Sequence, residues 1–227
     1  MKPGNTVHKT IFVIGGTNGT GKSTIEEELL GPSIPFINTD FIAQQLKYQQ
    51  SSLMLAELAQ QYGSEQIEKY IITNQSFAFE NNLHESKTFQ WLEKMQKEGY
   101  RVEVFYIGVD NLRITTKRIQ ERVKRGEHYI PPDEVYARYE NGIRLMRHYF
   151  AMPDKILMID NTNTRFTCLE AEKGKIVFQS QNAPQWVIDF VKSLEQKPVS
   201  SARSLNSIDE VRKLYNKTKD KPPQEDQ

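Results

Sequence analysis

Short runs of apolar, β-branched residues alternate along the chain with longer stretches in which apolar positions recur every three to four residues. The first pattern is typical of buried strands and the second of amphipathic helices. Their alternation predicts βα units around a mostly parallel sheet. The predicted strands cover residues 10–15, 36–39, 76–79, 102–109 and 155–160, and the predicted helices cover 22–30, 41–60, 64–72, 85–98, 111–125 and 133–150.

The sequence from residue 168 onwards predicts different elements. CLEAEKGKIVFQ, residues 168–179, predicts a hairpin with Gly174 at its turn, which adds an antiparallel edge to the sheet. APQWVIDFVKSLEQ predicts a final amphipathic helix, so the predicted domain spans residues 1–197. Residues 198–227 are polar and predict a flexible tail. Within this tail, Ser207 and Glu210 form a capping box that predicts a short helix near 207–215.

Composition excludes several classes of function. The chain has 227 residues, with 30 Lys and Arg against 29 Asp and Glu, so its net charge of +1 provides no general attraction for nucleic acid or anionic membranes. The single cysteine, Cys168, cannot form an internal disulfide, and the first ten residues lack the apolar segment of a signal peptide. We therefore expect a cytoplasmic protein with no nucleic-acid or membrane partner.

One motif predicts a phosphate-binding loop. Residues 16–23, GTNGTGKS, match G-x-x-x-x-G-K-[ST] between a predicted strand and a predicted helix. Such a loop turns backbone N–H groups towards phosphates, while Lys22 reaches the β- and γ-phosphates and the Ser23 hydroxyl binds Mg²⁺. The predicted nucleotide-binding residues are Gly16, Thr17, Asn18, Gly19, Thr20, Gly21, Lys22, Ser23 and Thr24.

Other motifs distinguish among P-loop proteins. Guanine-specific proteins need N-K-x-D, but in NKTKD, residues 216–220, the aspartate comes one place late. The L-S-G-G-Q signature of ABC ATPases is missing from the sequence. Two apolar runs end in aspartate, at Asp110 and Asp160, and each fits either a Walker B metal ligand or an ordinary strand end.

Two carboxylates follow predicted strands at the edge where a doubly wound sheet binds ligands. Asp40 could orient and deprotonate an acceptor hydroxyl, or it could cap the helix that follows. Glu80 could bind the acceptor or hold a water on the metal, or it could be an exposed loop carboxylate. The sequence leaves both pairs of alternatives open.

The segment 118–140 predicts a mobile lid, because GEHYIPPDE joins two helices through glycine and proline. Arg125 and Arg138 lie where this lid meets the helices, so we predict that they stabilise the charge of a transferring phosphoryl group. Arg118 and Arg122 share a helix face with Arg125, and for them we predict a solvated basic surface.

These motifs occur in an order that resembles the zeta-toxin family of P-loop kinases, in particular its compact branch labelled predicted ABC-type ATPase or kinase. The resemblance covers about residues 9–180 and rests on GGTNGTGKST, NTD, SFAFENNL, GYRVEVFYIGV, RIQERVKRGEHYIPPDEVYARY and IDNTNT. With the strand and helix pattern, it predicts a three-layer α/β P-loop NTPase or kinase fold with a mostly parallel sheet, a helical lid and an antiparallel edge hairpin.

The resemblance also implies an activity. It implies Lys22 and Ser23 on ATP and Mg²⁺, Asp40 as the base and Glu80 in the acceptor pocket. It further implies that Arg125 and Arg138 bind the moving phosphate. Zeta toxins phosphorylate the 3′-hydroxyl of the amino sugar in UDP-N-acetylglucosamine, and a small helical antitoxin holds them off by blocking ATP entry. We therefore expect a kinase that acts on a small-molecule hydroxyl, with a sugar nucleotide as acceptor and an antitoxin as partner.

Several alternatives stay open from the sequence. The acceptor could be a nucleoside monophosphate, a shikimate- or gluconate-like metabolite or a dinucleotide. The chain could instead be a nucleotide-dependent binding protein that signals to a partner through SIDEVRKLY. A kinase of RNA or DNA ends is disfavoured by the near-neutral charge. The four histidines, His8, His84, His128 and His148, lack the spacing of a metal site or a nucleophilic triad, so we predict solvated or capping roles.

Overall fold

A computed structural model describes residues 9–46, 52–125 and 129–195. Within these ranges the strands are β1 (Thr10–Gly15), β2 (Phe36–Ile37), β3 (Phe77–Asn81), β4 (Arg101–Gly108), β5 (Lys155–Asp160), β6 (Phe166–Glu172) and β7 (Lys175–Gln179). The α-helices are α1 (Glu26–Leu30), α2 (Thr39–Leu46), α3 (Ser52–Ile72), α4 (Ser86–Lys97), α5 (Leu112–Lys124), α6 (Pro132–His148) and α7 (Gln185–Glu195). A 3₁₀ turn at Lys22–Thr24 precedes α1, where the sequence predicts one helix over 22–30.

The strands form one sheet in the order β2-β3-β1-β4-β5-β6-β7. The first five of these are parallel, and β6 and β7 pair antiparallel. This confirms the predicted parallel sheet with an antiparallel hairpin at one edge, and Gly174 lies at the hairpin turn with φ +75°. The chain places β2 and β3 on one side of β1 and then crosses to place β4 and β5 on the other side. The strand order thus reverses at β1, and the crevice beyond the carboxyl end of such a strand is where doubly wound sheets bind ligands.

Alternating side chains of the central strands enter two cores. In β4, Val102 and Val104 face the larger core, whereas Phe105 and Ile107 face the smaller one. The larger core receives side chains from α4, α6 and α7, among them Phe89, Leu92, Leu145, Met146, Trp186 and Phe190. On the other face, Leu29 and Leu30 of α1 pack against the smaller core. Helices thus cover both faces of the sheet, which confirms the three-layer architecture.

The predicted boundary between helices 41–60 and 64–72 is wrong. The structure has one continuous helix, α3, over Ser52–Ile72, and α2 ends earlier, at Leu46. A Cβ on Gly63 would lie 3.0 Å from Cγ2 of Thr39, so this glycine allows α3 to pack closely against the start of α2. A tertiary contact, rather than a helix end, therefore explains the glycine.

Some predictions fall outside the described residues. They include His8, His128 and the polar tail with its helix near 207–215.

Cys168 is fully buried in the larger core, as expected for a small structural side chain, and burial raises its pKa to about 11. Of the helices described, none is both long and apolar enough to cross a membrane.

Candidate active site

The glycine-rich loop begins directly after β1 and makes a tight turn. Three glycines in it have positive φ angles, namely 129° at Gly16, 82° at Gly19 and 92° at Gly21. A side chain at Gly21 would be strained at this φ, and its Cβ would lie 2.3 Å from Nδ2 of Asn161, so Asn161 would also have to move. The hydroxyl of Thr20 donates to the carbonyl of Thr17 at 2.9 Å, and both threonines are buried. The loop therefore has the folded-back conformation that its motif predicts.

Lys22 lies beneath this loop with only 4% of its surface exposed. Its ammonium donates to the carbonyl of Thr17 at 3.1 Å and to Oδ1 of Asn82 at 3.0 Å, and it lies 3.4 Å from Oε1 of Glu80. Burial lowers the pKa of Lys22, whereas the carboxylates of Glu80 and Asp40 act in the opposite direction. The positive charge thus lies between the glycine-rich loop and the carboxyl end of β3.

The side chain of Asn38 links Glu80 to the start of α2. Its Nδ2 donates to Oε2 of Glu80 at 2.8 Å, while its Oδ1 accepts from the backbone N–H groups of Asp40 at 2.9 Å and Phe41 at 3.1 Å. Asn38 therefore caps α2, and the alternative in which Asp40 provides the cap is wrong. Asp40 occupies the first turn of α2 with an exposed side chain, close enough to Lys22 for their charges to interact.

The two arginines predicted to bind phosphate lie in different surroundings. Nη1 of Arg138 donates to Oδ1 of Asn18 at 2.7 Å, and Arg138 also pairs with Glu134 one turn earlier in α6. The hydroxyl of Thr17 donates to the carbonyl of Val135 at 3.3 Å, so the first turns of α6 rest on the glycine-rich loop. Arg125 directly follows α5 and its side chain is exposed.

The prediction of a solvated face is wrong for Arg118. Nη2 of this side chain donates to the carbonyls of Asn161 at 2.9 Å and Thr162 at 3.3 Å, and Nη1 donates to the carbonyl of Gly19 at 3.4 Å. The packing of Thr115 against Gly19 turns this face of α5 towards the loop. Burial has the largest effect on the pKa of Lys22, followed by the carboxylates of Glu80 and Asp40. The positive charge of the half-buried Arg122 has a smaller effect and also lowers this pKa.

The two aspartates considered as Walker B ligands also differ. Asp160 is buried, and its Oδ1 accepts from the Thr162 hydroxyl at 2.9 Å and from Nε1 of Trp186 at 2.9 Å. Its Oδ2 accepts from the backbone N–H of Thr162 at 3.1 Å. These contacts favour the strand-end interpretation of Asp160. Asp110 is exposed just beyond β4.

The described residues contain no group of three or more His, Cys, Asp or Glu side chains that could hold a metal ion. Mg²⁺ at nucleotide sites needs few protein ligands, because phosphates and waters complete its coordination. Ser23 fits this need, since it follows Lys22 in the 3₁₀ turn and its side chain is exposed.

The sequence interpretation missed three asparagines that hold the site together, Asn38, Asn82 and Asn161. Each closely follows a strand that ends at the ligand-binding edge, β2, β3 or β5. An asparagine soon after a predicted strand is a weak signal by itself. Its recurrence after three strands is the feature of the sequence that could have indicated them.

His84 lies in the loop after β3, and its Nδ1 is buried without a hydrogen-bond partner in the described part of the chain. Burial lowers the pKa of His84 from its ordinary value of 6.5; Glu85 opposes this shift and Arg138 adds to it. The folded protein therefore binds this proton less readily than the unfolded chain does.

We expect stability to depend on pH through His84. Between pH 6.5 and the lower folded pKa, the unfolded state binds more protons, so folding stability should fall as the pH falls through this range. A His84→Gln variant should lose this part of the pH dependence, measured as the melting temperature between pH 7.5 and 5. The exposed His148 provides the control His148→Gln, which should keep it. Identical pH profiles of wild type and His84→Gln would contradict the assignment.

No family model matches the chain. An uncharacterised protein of Haemophilus influenzae strain Rd is 32% identical over 135 residues, which cover 58% of this chain and 93% of that protein. The chain belongs to the family of this Haemophilus protein.

Solved structures identify the fold of this family member. A chain of the AvrRxo1-ORF1:ORF2 crystal structure with ATP superposes with a TM-score of 0.61 at 14% identity, covering 86% of this chain and 66% of that one. The structure of the PezAT chromosomal toxin–antitoxin system of Streptococcus pneumoniae gives a TM-score of 0.56 at 16% identity, covering 95% of this chain and 89% of that one. The chain therefore shares the fold of these solved structures, and this is the α/β P-loop fold that its motifs predict. It spans slightly less than two thirds of the AvrRxo1 chain.

Proposed function

We propose that this protein is a kinase that transfers the γ-phosphoryl group of ATP to a hydroxyl of a small molecule. The observation that carries the proposal is the position of Lys22. Its buried ammonium contacts the phosphate-binding loop at Thr17 on one side and Glu80 of β3 on the other. The lysine that binds phosphate and the carboxylates suited to an acceptor thus share one crevice at the ligand-binding edge of the sheet.

On the nucleotide side, the loop 16–24 holds the phosphates of ATP through backbone N–H groups and through Lys22. Ser23 provides the protein ligand for Mg²⁺, which neutralises charge on the phosphate oxygens when it is bound. Lys22 adds a positive charge in a buried setting, where electrostatic stabilisation of a transferring phosphoryl group is stronger than in water.

On the acceptor side, Asp40 takes the proton of the acceptor hydroxyl while the oxygen attacks the γ-phosphorus and ADP leaves. Glu80 and Asn82 provide hydrogen-bonding groups for the acceptor. Asn38 supports this arrangement, because one amide side chain fixes both the Glu80 carboxylate and the start of the helix that carries Asp40.

Arg125 and Arg138 stabilise the charge of the transferring group in this proposal. An Arg138→Ala variant should lose about 10²-fold in kcat, because it removes a donor from the developing negative charge. Steady-state kinetics with the identified acceptor would measure the loss. Arg144→Ala is a matched control, since Arg144 is an exposed arginine of the same helix that donates a hydrogen bond to Asn141. Equal kcat values for the two variants would contradict this role of Arg138.

We propose a sugar nucleotide, UDP-N-acetylglucosamine, as the acceptor and an antitoxin protein as a partner. Support comes from the family resemblance of the motifs and from the fold shared with the PezAT toxin–antitoxin system. The alternatives are a nucleoside monophosphate, a shikimate- or gluconate-like metabolite and a dinucleotide.

The test is transfer of label from γ-³²P-ATP to each of these acceptors and to a metabolite extract, with a Lys22→Met variant as the blank. A labelled product with UDP-N-acetylglucosamine supports the full proposal. Label in another product keeps the kinase and corrects the acceptor. Bound ATP with no labelled product from any source would contradict the kinase and favour a nucleotide-dependent binding protein.

A further inference from the structure

Two consecutive carbonyl groups of the phosphate-binding loop are held from outside by residues far away in the sequence. Nδ2 of Asn161 donates to the carbonyl of Thr20 at 2.7 Å. Nη1 of Arg118 donates to the carbonyl of Gly19 at 3.4 Å. We call Arg118 and Asn161 the carbonyl clamp, since both donate hydrogen bonds to carbonyl oxygens of this loop.

The carbonyl clamp is itself anchored to the sheet. The backbone N–H of Asn161 donates to the carbonyl of Gly108 at the end of β4, at 2.9 Å. The carbonyl of Asn161 accepts from Arg118 at 2.9 Å, so the two members of the clamp also hold each other. The next residue, Thr162, is fixed through both its hydroxyl and its backbone N–H by the buried carboxylate of Asp160. The clamp therefore has a rigid base.

The direction of these hydrogen bonds matters for anion binding. In a trans peptide the C=O and N–H groups point in opposite directions. Holding the Thr20 carbonyl against Asn161 therefore turns the N–H of Gly21 away from Asn161. The same side chain occupies the space beside Gly21, where a Cβ would lie 2.3 Å from its nitrogen. Asn161 thus fixes the orientation of this peptide and packs directly against Gly21.

We infer that Arg118 and Asn161 are positioning residues that set the phosphate-binding loop in its anion-binding conformation before ATP arrives. This inference rests on the proposed nucleotide site but not on the identity of the acceptor. A loop held in its binding conformation avoids the cost of ordering on binding, so the clamp should affect ATP affinity more than the rate of transfer.

The test compares two matched variants of the full chain. Asn161→Asp keeps the shape of the side chain but replaces the donating amide with a carboxylate, which repels the Thr20 carbonyl. Asn163→Asp makes the same chemical change at an exposed position in the same loop. We expect the Kd for MgATP, measured by calorimetry, to rise about 10-fold in Asn161→Asp and to stay within about 2-fold of wild type in Asn163→Asp.

A third variant separates positioning from misfolding. Arg118→Lys keeps the positive charge but cannot reach Gly19, Asn161 and Thr162 together, so it should weaken ATP binding about 5-fold with an unchanged melting temperature. Wild-type affinity in both Asn161→Asp and Arg118→Lys would overturn the inference even if the protein proves to be a kinase. A wild-type protein that fails to bind MgATP would overturn the proposed function itself, which is a distinguishable result.

Discussion

A Lys22→Met variant is expected to transfer phosphate about 10³-fold more slowly than wild type. Methionine has a similar length and fills the same buried space, but it brings no charge to the phosphates. The loss should be large because the ammonium is almost completely buried, where water cannot replace its interaction. Single-turnover transfer of ³²P to the identified acceptor measures the effect.

The variant needs a control for its effect on folding. Removing the ammonium leaves the Glu80 carboxylate with Asn38 but without its cationic partner, so the melting temperature should be measured alongside the rate. Lys87→Met makes the same substitution at a lysine whose side chain is 79% exposed, and its rate should equal that of wild type. A folded Lys22→Met protein with transfer within a few-fold of wild type would refute the proposed role of Lys22.

An Asp40→Asn variant should bind ATP normally and lose about 10³-fold in kcat, because an amide cannot accept the proton of the acceptor hydroxyl. The substitution preserves the start of α2, since Asn38 caps this helix through the backbone N–H of residue 40 rather than through its side chain. Titration with MgATP and steady-state kinetics would separate binding from transfer.

Asp133 provides the matched control for Asp40. It is also an exposed aspartate in the first turn of a helix, in this case α6, so Asp133→Asn tests the general effect of removing such a carboxylate. We expect its kcat to match wild type. An Asp40→Asn protein with undiminished kcat would transfer the role of base to another group, and Glu80 would be the first to test.

Much of the fold follows from local patterns. The apolar runs of β1, β4 and β5 are long enough, and bounded clearly enough, to predict strands buried on both faces. The phosphate-binding loop is also a local feature, because its glycines and Lys22 lie within eight consecutive residues, 16–23. The continuity of α3 could not be predicted in this way. Gly63 lies within this helix because it packs closely against Thr39, a residue that is distant in the sequence.

The site was only partly predictable for a related reason. Carboxylates at strand ends share one edge of a parallel sheet, so Asp40 and Glu80 could be placed near Lys22 before the structure was known. Helical spacing showed that Arg118 and Arg122 share a face of α5, but it could not show that this face packs against the glycine-rich loop. Asn161 contacts Thr20 across 141 positions of the sequence, and no local pattern marks such a contact.

The position of Lys22 has a consequence for how tightly a nucleotide can bind. Its ammonium has three protons, and the carbonyl of Thr17, the amide of Asn82 and the carboxylate of Glu80 lie within reach of them. In the proposed kinase, a triphosphate would replace these partners of Lys22 within the same chain, so the net gain in binding free energy would be the difference between two sets of contacts. In that proposal, Thr17, Asn82 and Glu80 would compete with the triphosphate for Lys22, and the negative charge of Glu80 would strengthen this competition.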